Sequence, residues 1–315
     1  IEEPINGRTS ISVSLPVDVS SLEEVVVVGY GTQKKVNLTG SVEQVDGNTL
    51  TKQPVFQVSS ALTGTVPGLT IVQNSGQPGK DVGQIRIRGL GSLGDGSKND
   101  PLVLIDGVQG DINGIDPGDI ADISVLKDAA AASIYGSRGA NGVILITTKR
   151  AKAGGISVGY KTYLGRQAVT DRPKFVGALT FLENDGNTPQ NIIDDYRTNL
   201  QNGTNPDVYT DTDWVDELYS ESGFMQYHQV SVGGGSETLR VNGSISYQDQ
   251  DGNIPNFNFR RYNGRFNSDL VASEKLDFNF DINFSQSRST EPAQGLFNIT
   301  QQAFRIPPIY FVRHS

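Results

Sequence analysis

The 315-residue sequence has no cysteine and only two histidines, His228 and His314. Disulfide frameworks and thiolate metal sites are therefore excluded, and a histidine metal cluster or a Ser-His-Asp triad has almost no residues to form it. Basic residues are also few: 26 stand against 35 acidic ones, and no Lys/Arg block occurs. Because nucleic-acid binding requires a basic patch, we expect no nucleic-acid partner, and we predict neither a cofactor nor a metal site.

Long apolar runs are missing as well. The longest uninterrupted stretches of Val, Leu and Ile are Val25–Val28, Leu102–Ile105 and Val143–Ile146. A transmembrane helix needs about 20 apolar residues, so the sequence excludes a helical membrane protein. It does not exclude a membrane β-barrel, because barrel strands alternate apolar and polar residues and leave little trace in hydropathy.

The composition changes near residue 155, and the part from 40 to 150 is typical of a compact α/β unit. Short apolar runs alternate there with turns such as Pro67-Gly68 and Pro117-Gly118. Two stretches predict helices, Val55–Leu62 and Ala129–Ile134, the second with Asp128 as its N-cap. The predicted strands are Ser41–Val45, Leu69–Gln73, Gln84–Arg88, Leu102–Ile105, Ile123–Leu126 and Gly142–Thr148.

Residues 156–285 follow a different pattern, with long segments of period two. In Leu276–Phe284 every second residue is apolar and all the others are Asp or Asn. This strict alternation matches a tilted membrane strand of about 9–11 residues. Weaker alternation predicts four further strands: Ile156–Leu164, a strand at Val230 and Val232, Leu239–Tyr247 and Tyr262–Leu270.

Two architectures fit these amphipathic strands, a transmembrane β-barrel and a soluble antiparallel sandwich with one wet face. Two features favour the barrel. The polar face carries Asp, Asn and Arg but almost no Lys or Glu, unlike a typical water-facing sheet. The connections also alternate in length: residues 233–238 and 272–275 predict tight turns, whereas 165–229 and 249–253 predict longer loops.

Isolated motifs give no support for an enzyme. Gly89–Gly94 fits G-x-G-x-x-G, but the residues that follow are a poor start for the helix that would hold a pyrophosphate. Ser124 and Lys127 fit S-x-x-K within a predicted strand, where positions three apart point to opposite faces. The acidic clusters at 207–213 and 249–253 do not fit an EF-hand loop, so we interpret them as solvated loop acids.

A specific signature stands at Glu24-Val25-Val26-Val27-Val28-Gly29-Tyr30-Gly31-Thr32-Gln33-Lys34-Lys35. It resembles the TonB box segment of the SusC/RagA family of TonB-dependent outer-membrane transporters. The resemblance continues through blocks at 38–42, 61–69, 85–89 and 101–108, and through a long block from Ile120 to Lys149. These five ordered blocks are similar to the family's plug domain almost end to end. Segments at 213–214, 228–235 and 306–308 resemble the family's early barrel.

The resemblance implies an α/β plug domain followed by antiparallel strands of a transmembrane β-barrel that is incomplete in this chain. Residues 1–22 resemble the tail of a carboxypeptidase-regulatory-like β-sandwich domain, 23–35 the TonB box segment, 36–152 the plug, and 153–315 the first barrel strands and loops. Five strands cannot close a barrel without leaving unpaired edges in lipid. We therefore expect the chain to be part of a longer protein.

The resemblance further implies an importer of oligosaccharides or peptides in the outer membrane of a Gram-negative bacterium, and not an enzyme. Its expected partners are a SusD-like surface lipoprotein that acts as a lid, outer-membrane lipid, and TonB with its inner-membrane energising complex. The expected TonB-binding residues are Glu24, Val25, Val26, Val27, Val28, Gly29 and Tyr30. The β-branched run among them suits pairing with an edge strand of another protein.

Three plug arginines are expected to contact the barrel: Arg86, Arg88 and Arg138. We predict charge-assisted hydrogen bonds from such residues to lumen carboxylates, for which Asp269, Asp277 and Asp281 are candidates. The substrate-binding residues cannot be assigned from the sequence. The alternative function is that of a surface-exposed β-rich binding protein without transport activity.

Overall fold

The computed structural model describes residues 25–28, 31–34, 41–52, 54–73, 75–80, 83–89, 99–219 and 223–312. The predicted sandwich remnant at 1–22 therefore lies outside the described residues, as do Glu24, Gly29 and Tyr30 of the TonB box segment. The first described elements are β1 (Val25–Val28) and β2 (Gly31–Lys34), which pair antiparallel as a hairpin. The boundaries of the four predicted regions stay predictions.

The next part of the chain forms the plug, a mixed sheet flanked by short helices. Its strands are β3 (Val42–Asp46), β4 (Leu69–Val72), β5 (Gln84–Ile87), β6 (Leu102–Ile105), β7 (Val108–Gln109), β8 (Ile120–Leu126) and β9 (Val143–Thr148). Its α-helices are α1 (Gly47–Leu50), α2 (Val58–Leu62) and α3 (Ala129–Ala132). Three 3-10 turns lie at Ile112–Gly114, Pro117–Asp119 and Ser133–Gly139.

The main plug sheet has the strand order β3-β8-β9-β6-β7, and β4 pairs with β5 in a separate two-stranded ribbon. Strands β6 and β9 run parallel, while the other neighbours run antiparallel. Ile123, Val125 and Ile144 pack on one side of the sheet, and Leu126 and Val143 on the other. All five are completely buried, because strands covered on both faces need apolar residues at successive positions.

The plug strands predicted from the sequence are present, although β8 begins at Ile120 rather than Ile123. The two predicted helices are shorter than expected. Helix α2 begins only at Val58, because Gln57 has extended backbone angles. Helix α3 follows Asp128 as predicted, but the Asp128 side chain forms no cap: it accepts a hydrogen bond from the Ser41 backbone at 2.7 Å and pairs with Arg88.

After the plug, five long strands form an antiparallel meander: β10 (Gly154–Gln167), β11 (Gly223–Gly235), β12 (Leu239–Asp251), β13 (Asn258–Ser273) and β14 (Leu276–Thr290). They contain 13 to 16 residues and are longer than the alternating segments that predicted them. The predicted tight turns connect β11 to β12 and β13 to β14. The longer connections all lie at the opposite end of the sheet.

The connection between β10 and β11 and the segment after β14 carry helices that period-two analysis did not predict. They are α4 (Ala178–Asn184), α5 (Gln190–Asn202) and α6 (Trp214–Leu218) in the connection, and α7 (Gly295–Ala303) after β14. Their small core includes Ala178, Leu182, Ile193 and Tyr196. Asp213 begins α6 by accepting hydrogen bonds from two backbone amides, each at 2.9 Å. Within the described residues, no helix is both long and apolar enough to cross a bilayer.

Candidate functional site

The plug lies against one face of the five-stranded sheet, and that face is polar. Successive side chains of a strand point to opposite faces, so each strand gives one set of residues to the plug and the other set to the outside. The buried polar residues of the plug-facing set are Gln229, Ser244, Ser246, Gln248, Arg261, Asn263, Arg265 and Asn267, and the aromatic residues Tyr227 and Phe259 are buried on the same face. The exposed residues of the outer set include Val230, Ile245, Phe266, Phe278, Phe280 and Ile282.

The plug meets this polar face through the segment before β8, where two 3-10 turns place Asp116 and Asp119 beside β11 and β12. Asp116 accepts a hydrogen bond from the Tyr227 hydroxyl at 2.7 Å, another from the Ser246 hydroxyl, and one from its own loop amide at Gly118. Asp119 accepts a hydrogen bond from the Gln229 amide at 2.8 Å. Both carboxylates are buried, and each is anchored to the barrel wall.

Arg261 of β13 holds two separate plug segments at once. One terminal nitrogen donates to the backbone carbonyl of Asn113, and the other donates to that of Phe56, both at 2.6 Å. Asn113 lies in the first 3-10 turn and Phe56 lies just before α2. Because the guanidinium is planar and has five N–H donors, a single buried arginine can join two loops with fixed geometry.

Arg265, four residues further along β13, pairs with Asp106 of the plug and donates to the Thr148 hydroxyl at 2.7 Å. Asp106 follows β6 in a turn where its φ is +47°, and its carboxylate also accepts hydrogen bonds from the Thr148 amide and hydroxyl at 3.0 and 2.7 Å. The Arg265 side chain is only 3% exposed and that of Asp106 11%. This ion pair therefore sits inside the plug–barrel interface.

Arg150, between β9 and β10, forms the predicted kind of contact with lumen carboxylates. Its guanidinium donates to Asp269 and to both carboxylate oxygens of Asp281, the latter at 2.8 and 3.0 Å. Two of the three candidate carboxylates, Asp269 and Asp281, thus contact an arginine, but Arg150 was not among the predicted arginines. In the described part of the chain Arg88 pairs with Asp128 and Arg86 donates to Gln84, so the contacts of both lie inside the plug.

The order and pairing of the strands explain this difference. Arg88 lies just after β5, whose neighbour is β4 and not a barrel strand, whereas Arg150 lies where the plug joins the barrel. Arg138 is exposed in the 3-10 turn after α3. A contact of Arg86, Arg88 or Arg138 with other parts of the lumen stays a prediction.

Burial and charge raise the pKa of Asp119 from 3.8 to about 6. The largest cause is the loss of water around the buried carboxylate, and the neighbouring carboxylate of Asp116 adds to it. Hydrogen bonding from Ser244 and the positive charges of Arg265 and Lys149 act in the opposite direction without cancelling the shift. The interface therefore contains a carboxyl group whose pKa lies near 6 rather than 3.8.

At the end of the sheet with the longer connections, residues 75–80 of the plug contact the segment after β14. We call residues 75–80 the plug apex. The Lys80 ammonium lies 2.6 Å from Glu291, and the Gln77 amide donates to the same carboxylate at 3.2 Å. The turn has no space for a side chain at Gly79: its φ is +74°, and a Cβ would lie 2.0 Å from the Phe259 ring. A cavity beside this contact is lined by residues 76–78 of the plug and by Tyr219, Asn253 and Leu296 of the connections.

Known proteins share both parts of this arrangement. The family model described as TonB-dependent Receptor Plug Domain matches residues 34–143. TonB-dependent receptor P26 of Formosa agariphila is 37% identical over 292 residues, which are 90% of this chain and 28% of the relative. TonB-dependent receptor SusC of Bacteroides thetaiotaomicron is 35% identical over 290 residues, 89% of this chain and 28% of SusC. The solved RagAB peptide importer in its open-open state is 30% identical with a TM-score of 0.74, covering 85% of this chain and 33% of that one.

The chain belongs to the SusC/RagA family of TonB-dependent transporters. The predicted fold class, a plug followed by antiparallel strands of an incomplete β-barrel, is thereby confirmed. The family consists of receptors and not of enzymes, and it belongs to the outer membrane of Gram-negative bacteria. Because the chain spans only 28% of P26 and of SusC, the activity, substrate and partners of the whole protein are proposals.

The TonB box segment of this family member is described only in part. Val25–Val28 is a strand, as its β-branched residues predict, and it pairs in register with Gly31–Lys34. Glu24, Gly29 and Tyr30 lie outside the described residues. The assignment of residues 24–30 as the site that binds TonB stays a prediction.

No group of three or more His, Asp or Glu residues in the described ranges is arranged to hold a metal ion. The loop acids considered as calcium ligands have other contacts. Asp211 accepts a hydrogen bond from the Ala178 amide at 2.6 Å, at the start of α4, and Asp213 caps α6. Asp249 accepts hydrogen bonds from Tyr247 and Asn258.

Several interface residues were not predicted from the sequence: Asp106, Asp116, Asp119, Tyr227, Arg261 and Arg265. Their contacts join positions more than 100 residues apart, so no local spacing reveals them. The sequence does contain one pattern that indicates which face of the strand the two arginines occupy. In β13, Arg261 and Arg265 alternate with Tyr262 and Phe266, which places both arginines on the face opposite the aromatic residues.

Proposed function

We propose that the whole protein imports oligosaccharides or peptides across the outer membrane of a Gram-negative bacterium. Import would be driven by TonB and would involve a SusD-like lipoprotein as an external lid. The observation that carries the proposal is the plug itself, which is fixed to the lumen face of the barrel strands by buried charged and polar contacts. The similarity to the RagAB peptide importer supports the peptide class in particular.

The contacts between the plug and the barrel wall explain how the plug would keep the barrel closed. Arg261, Arg265 and Arg150 fasten residues from the start, middle and end of the plug to the same wall. Breaking a buried ion pair costs several kcal/mol when one charge is left without its partner. Thermal fluctuation alone would therefore open the plug rarely, and an external energy source would be needed for each transport event.

A pull from TonB would reach the weakest part of the plug first. The chain leads from the TonB box segment to β3, which among the described strands lies at the edge of the sheet and pairs with β8 alone. Strand β8 is held to the barrel wall at its start through Asp116 and Asp119. We infer that β3 separates from β8 while β8 and β9 stay docked, because an edge strand loses hydrogen bonds on one side only.

The segments at the external end support the proposed lid. No residue of helix α7 is buried by the other described residues of this chain, and the Phe297 side chain is 74% exposed. Tyr310 and Phe175 are exposed at the same end. Aromatic side chains of this kind contribute strongly to protein–protein interfaces. Co-purification of the whole receptor with its lipoprotein, reduced by Phe297→Asp and Tyr310→Asp together, would test this contact.

Removal of residues 24–30 from the whole receptor tests the dependence on TonB. We expect uptake to be lost, while assembly in the outer membrane and external substrate binding are kept, because the segment would serve as a handle for TonB. Removal of residues 4–10, a deletion of equal length, is the matched control and should leave uptake intact. Normal uptake after removal of 24–30 would refute the TonB-driven mechanism.

Loss of membrane assembly after removal of 24–30 would instead mean that these residues are part of the folded plug. A surface-binding protein without transport would show binding but no uptake even in its natural form. Uptake of the natural receptor in the presence and absence of an energised inner membrane therefore separates that alternative from the importer.

A further inference from the structure

The outer face of the barrel sheet carries a row of polar and aromatic residues that marks the edge of the membrane. Thr162, His228, Tyr247, Tyr262 and Gln286 are direct neighbours across the five strands. The Tyr247 and Tyr262 rings lie 5.0 Å apart, and His228 stacks on Tyr247 at 6.5 Å. Aromatic residues with a polar tip are typical of the headgroup level, so we call these five residues the interface row.

The residues on the two sides of the interface row differ in polarity. Toward the tight turns the outer face is apolar, with Ile245, Phe266 and Phe284 exposed. Toward the longer connections the next row contains Leu164, Gln226, Asp249, Arg260 and Arg288, of which the last three are charged. This charged row therefore lies just outside the hydrocarbon core, at the depth of the lipid headgroups, on the side of the long loops.

Two arginines of that row are directly opposed. Arg260 of β13 pairs in register with Arg288 of β14, and both are exposed on the outer face. Directly opposed side chains have Cβ atoms about 5 Å apart, and like charges at this spacing repel. Among the described residues Asp249 is the only carboxylate that pairs with either arginine, at 3.2 Å from Arg260.

Asp249 does not balance both charges. Its carboxylate is shared with the Tyr247 hydroxyl at 2.9 Å and with the Asn258 amide at 2.8 Å. One negative and two positive charges leave the row with an excess of one positive charge. An exposed pair of guanidinium groups at headgroup depth matches the oxygens of a phosphate, which arginines bind with paired hydrogen bonds.

We infer that Arg260 and Arg288 bind the phosphate of a phosphorylated glycolipid of the outer leaflet. The interface row would lie beside the sugar and the upper acyl chains of that lipid. The site rests on the position of the barrel in the outer membrane and is independent of substrate import. It would fix a lipid beside β13 and β14, next to the loop that carries Glu291 and α7.

The test uses the whole receptor in detergent, with purified lipid A as the probe and native mass spectrometry as the readout. Arg260→Ala together with Arg288→Ala should weaken lipid A binding at least about tenfold, as expected when charge-assisted hydrogen bonds are lost. Lys275→Ala is the matched control, because it removes one positive charge in the tight turn at the other end of the sheet and should leave binding unchanged.

Three further results decide the proposal. Dephosphorylated lipid A should bind the natural receptor as weakly as lipid A binds the double variant. Inorganic phosphate at the same concentration should not compete, because the site would need the lipid's sugar and acyl chains as well. Equal lipid A binding by the natural receptor and a correctly folded double variant would overturn the inference, as would full competition by inorganic phosphate. Uptake assays on the same variants report separately on import.

Discussion

The plug and the barrel sheet bury opposite kinds of residues. In the plug, Ile123, Val125 and Ile144 are completely buried between the sheet and its helices. In the barrel sheet, the whole residues Arg265 and Asn267 are 6% and 2% exposed, whereas Phe280 is 55% exposed. The plug thus follows the usual rule of apolar residues inside, and the barrel strands reverse it.

This reversal indicates what each face of the barrel strands contacts. The outer face of the barrel strands needs apolar side chains because lipid cannot hydrogen-bond polar ones. The inner face needs polar side chains because it must hold a plug whose own surface is polar. Asp106, Asp116 and Asp119 are plug residues that meet this inner face, so the two parts share a polar interface between two differently built units.

The largest expected effect comes from breaking that shared interface at Arg265. Arg265→Ala leaves the Asp106 carboxylate buried without its ion-pair partner and should weaken plug docking by about 3–5 kcal/mol. Urea titration of the whole receptor, followed by a fluorophore in the plug, measures this. Asp106→Asn in the same variant should recover much of the loss, because it removes the uncompensated charge and asparagine tolerates a positive φ. A loss below about 1 kcal/mol would show that the pair does not hold the plug.

A charge placed on the outer face should have the next largest effect. Phe280→Arg puts a cation toward the middle of the apolar band and should cost about 2–4 kcal/mol of barrel stability. Asn279→Arg, at the adjacent position on the inner face, is the matched control and should cost far less. Folding into liposomes, measured by heat-dependent gel mobility, compares the two. Equal costs would mean that the two faces do not differ as described.

The pH dependence of docking should reveal Asp119. Its pKa in the folded protein is about 6 and lies above the ordinary value of 3.8, so the docked state binds the proton more tightly than the unfolded state. The group therefore contributes full stability below pH 3.8, and this contribution is lost as the pH rises through 6. Two pKa units correspond to about 3 kcal/mol. In Asp119→Asn, the urea concentration at the midpoint of unfolding should therefore depend less on pH between pH 4.5 and 7.5.

Asp128 is a control because its pKa is shifted in the direction opposite to that of Asp119. A hydrogen bond from the Ser41 backbone, and then the charge of Arg88, lower the pKa of its carboxyl. Asp128→Asn should therefore reduce plug stability at pH 7.5 and have less effect at low pH. The assignment of the pH dependence to Asp119 fails if both variants change the urea midpoint in the same direction at pH 7.5.

The smallest effect is expected at the apex. Lys80 and Glu291 form an ion pair, but their side chains are 49% and 39% exposed, and solvent screens such pairs. Lys80→Ala should cost at most about 1 kcal/mol of docking stability in the same urea titration. A larger loss would indicate that the apex, and not the buried wall contacts, holds the plug.

Much of this organisation was predictable because it depends on local patterns. The strict alternation of Leu276–Phe284 predicted a strand with distinct faces, and the run Val143–Ile146 lies in the strand predicted at Gly142–Thr148. The contacts between the parts were not predictable in the same way. Arg150 rather than Arg88 reaches Asp269 and Asp281, because the order of strands decides which arginine faces the wall. The helices of the long connection were missed since their small core is shared among separate segments.

Chemical labelling of β14 decides whether its apolar face meets lipid. Phe278→Cys, Phe280→Cys and Ile282→Cys can be made one at a time in the whole receptor, and this segment contributes no other cysteine. Each should react with a lipid-dissolved maleimide and resist a charged aqueous one, while Asn279→Cys should resist the lipid-dissolved reagent. If Phe278→Cys, Phe280→Cys and Ile282→Cys resist both reagents, they lie in a protein core, and the membrane-barrel interpretation is wrong.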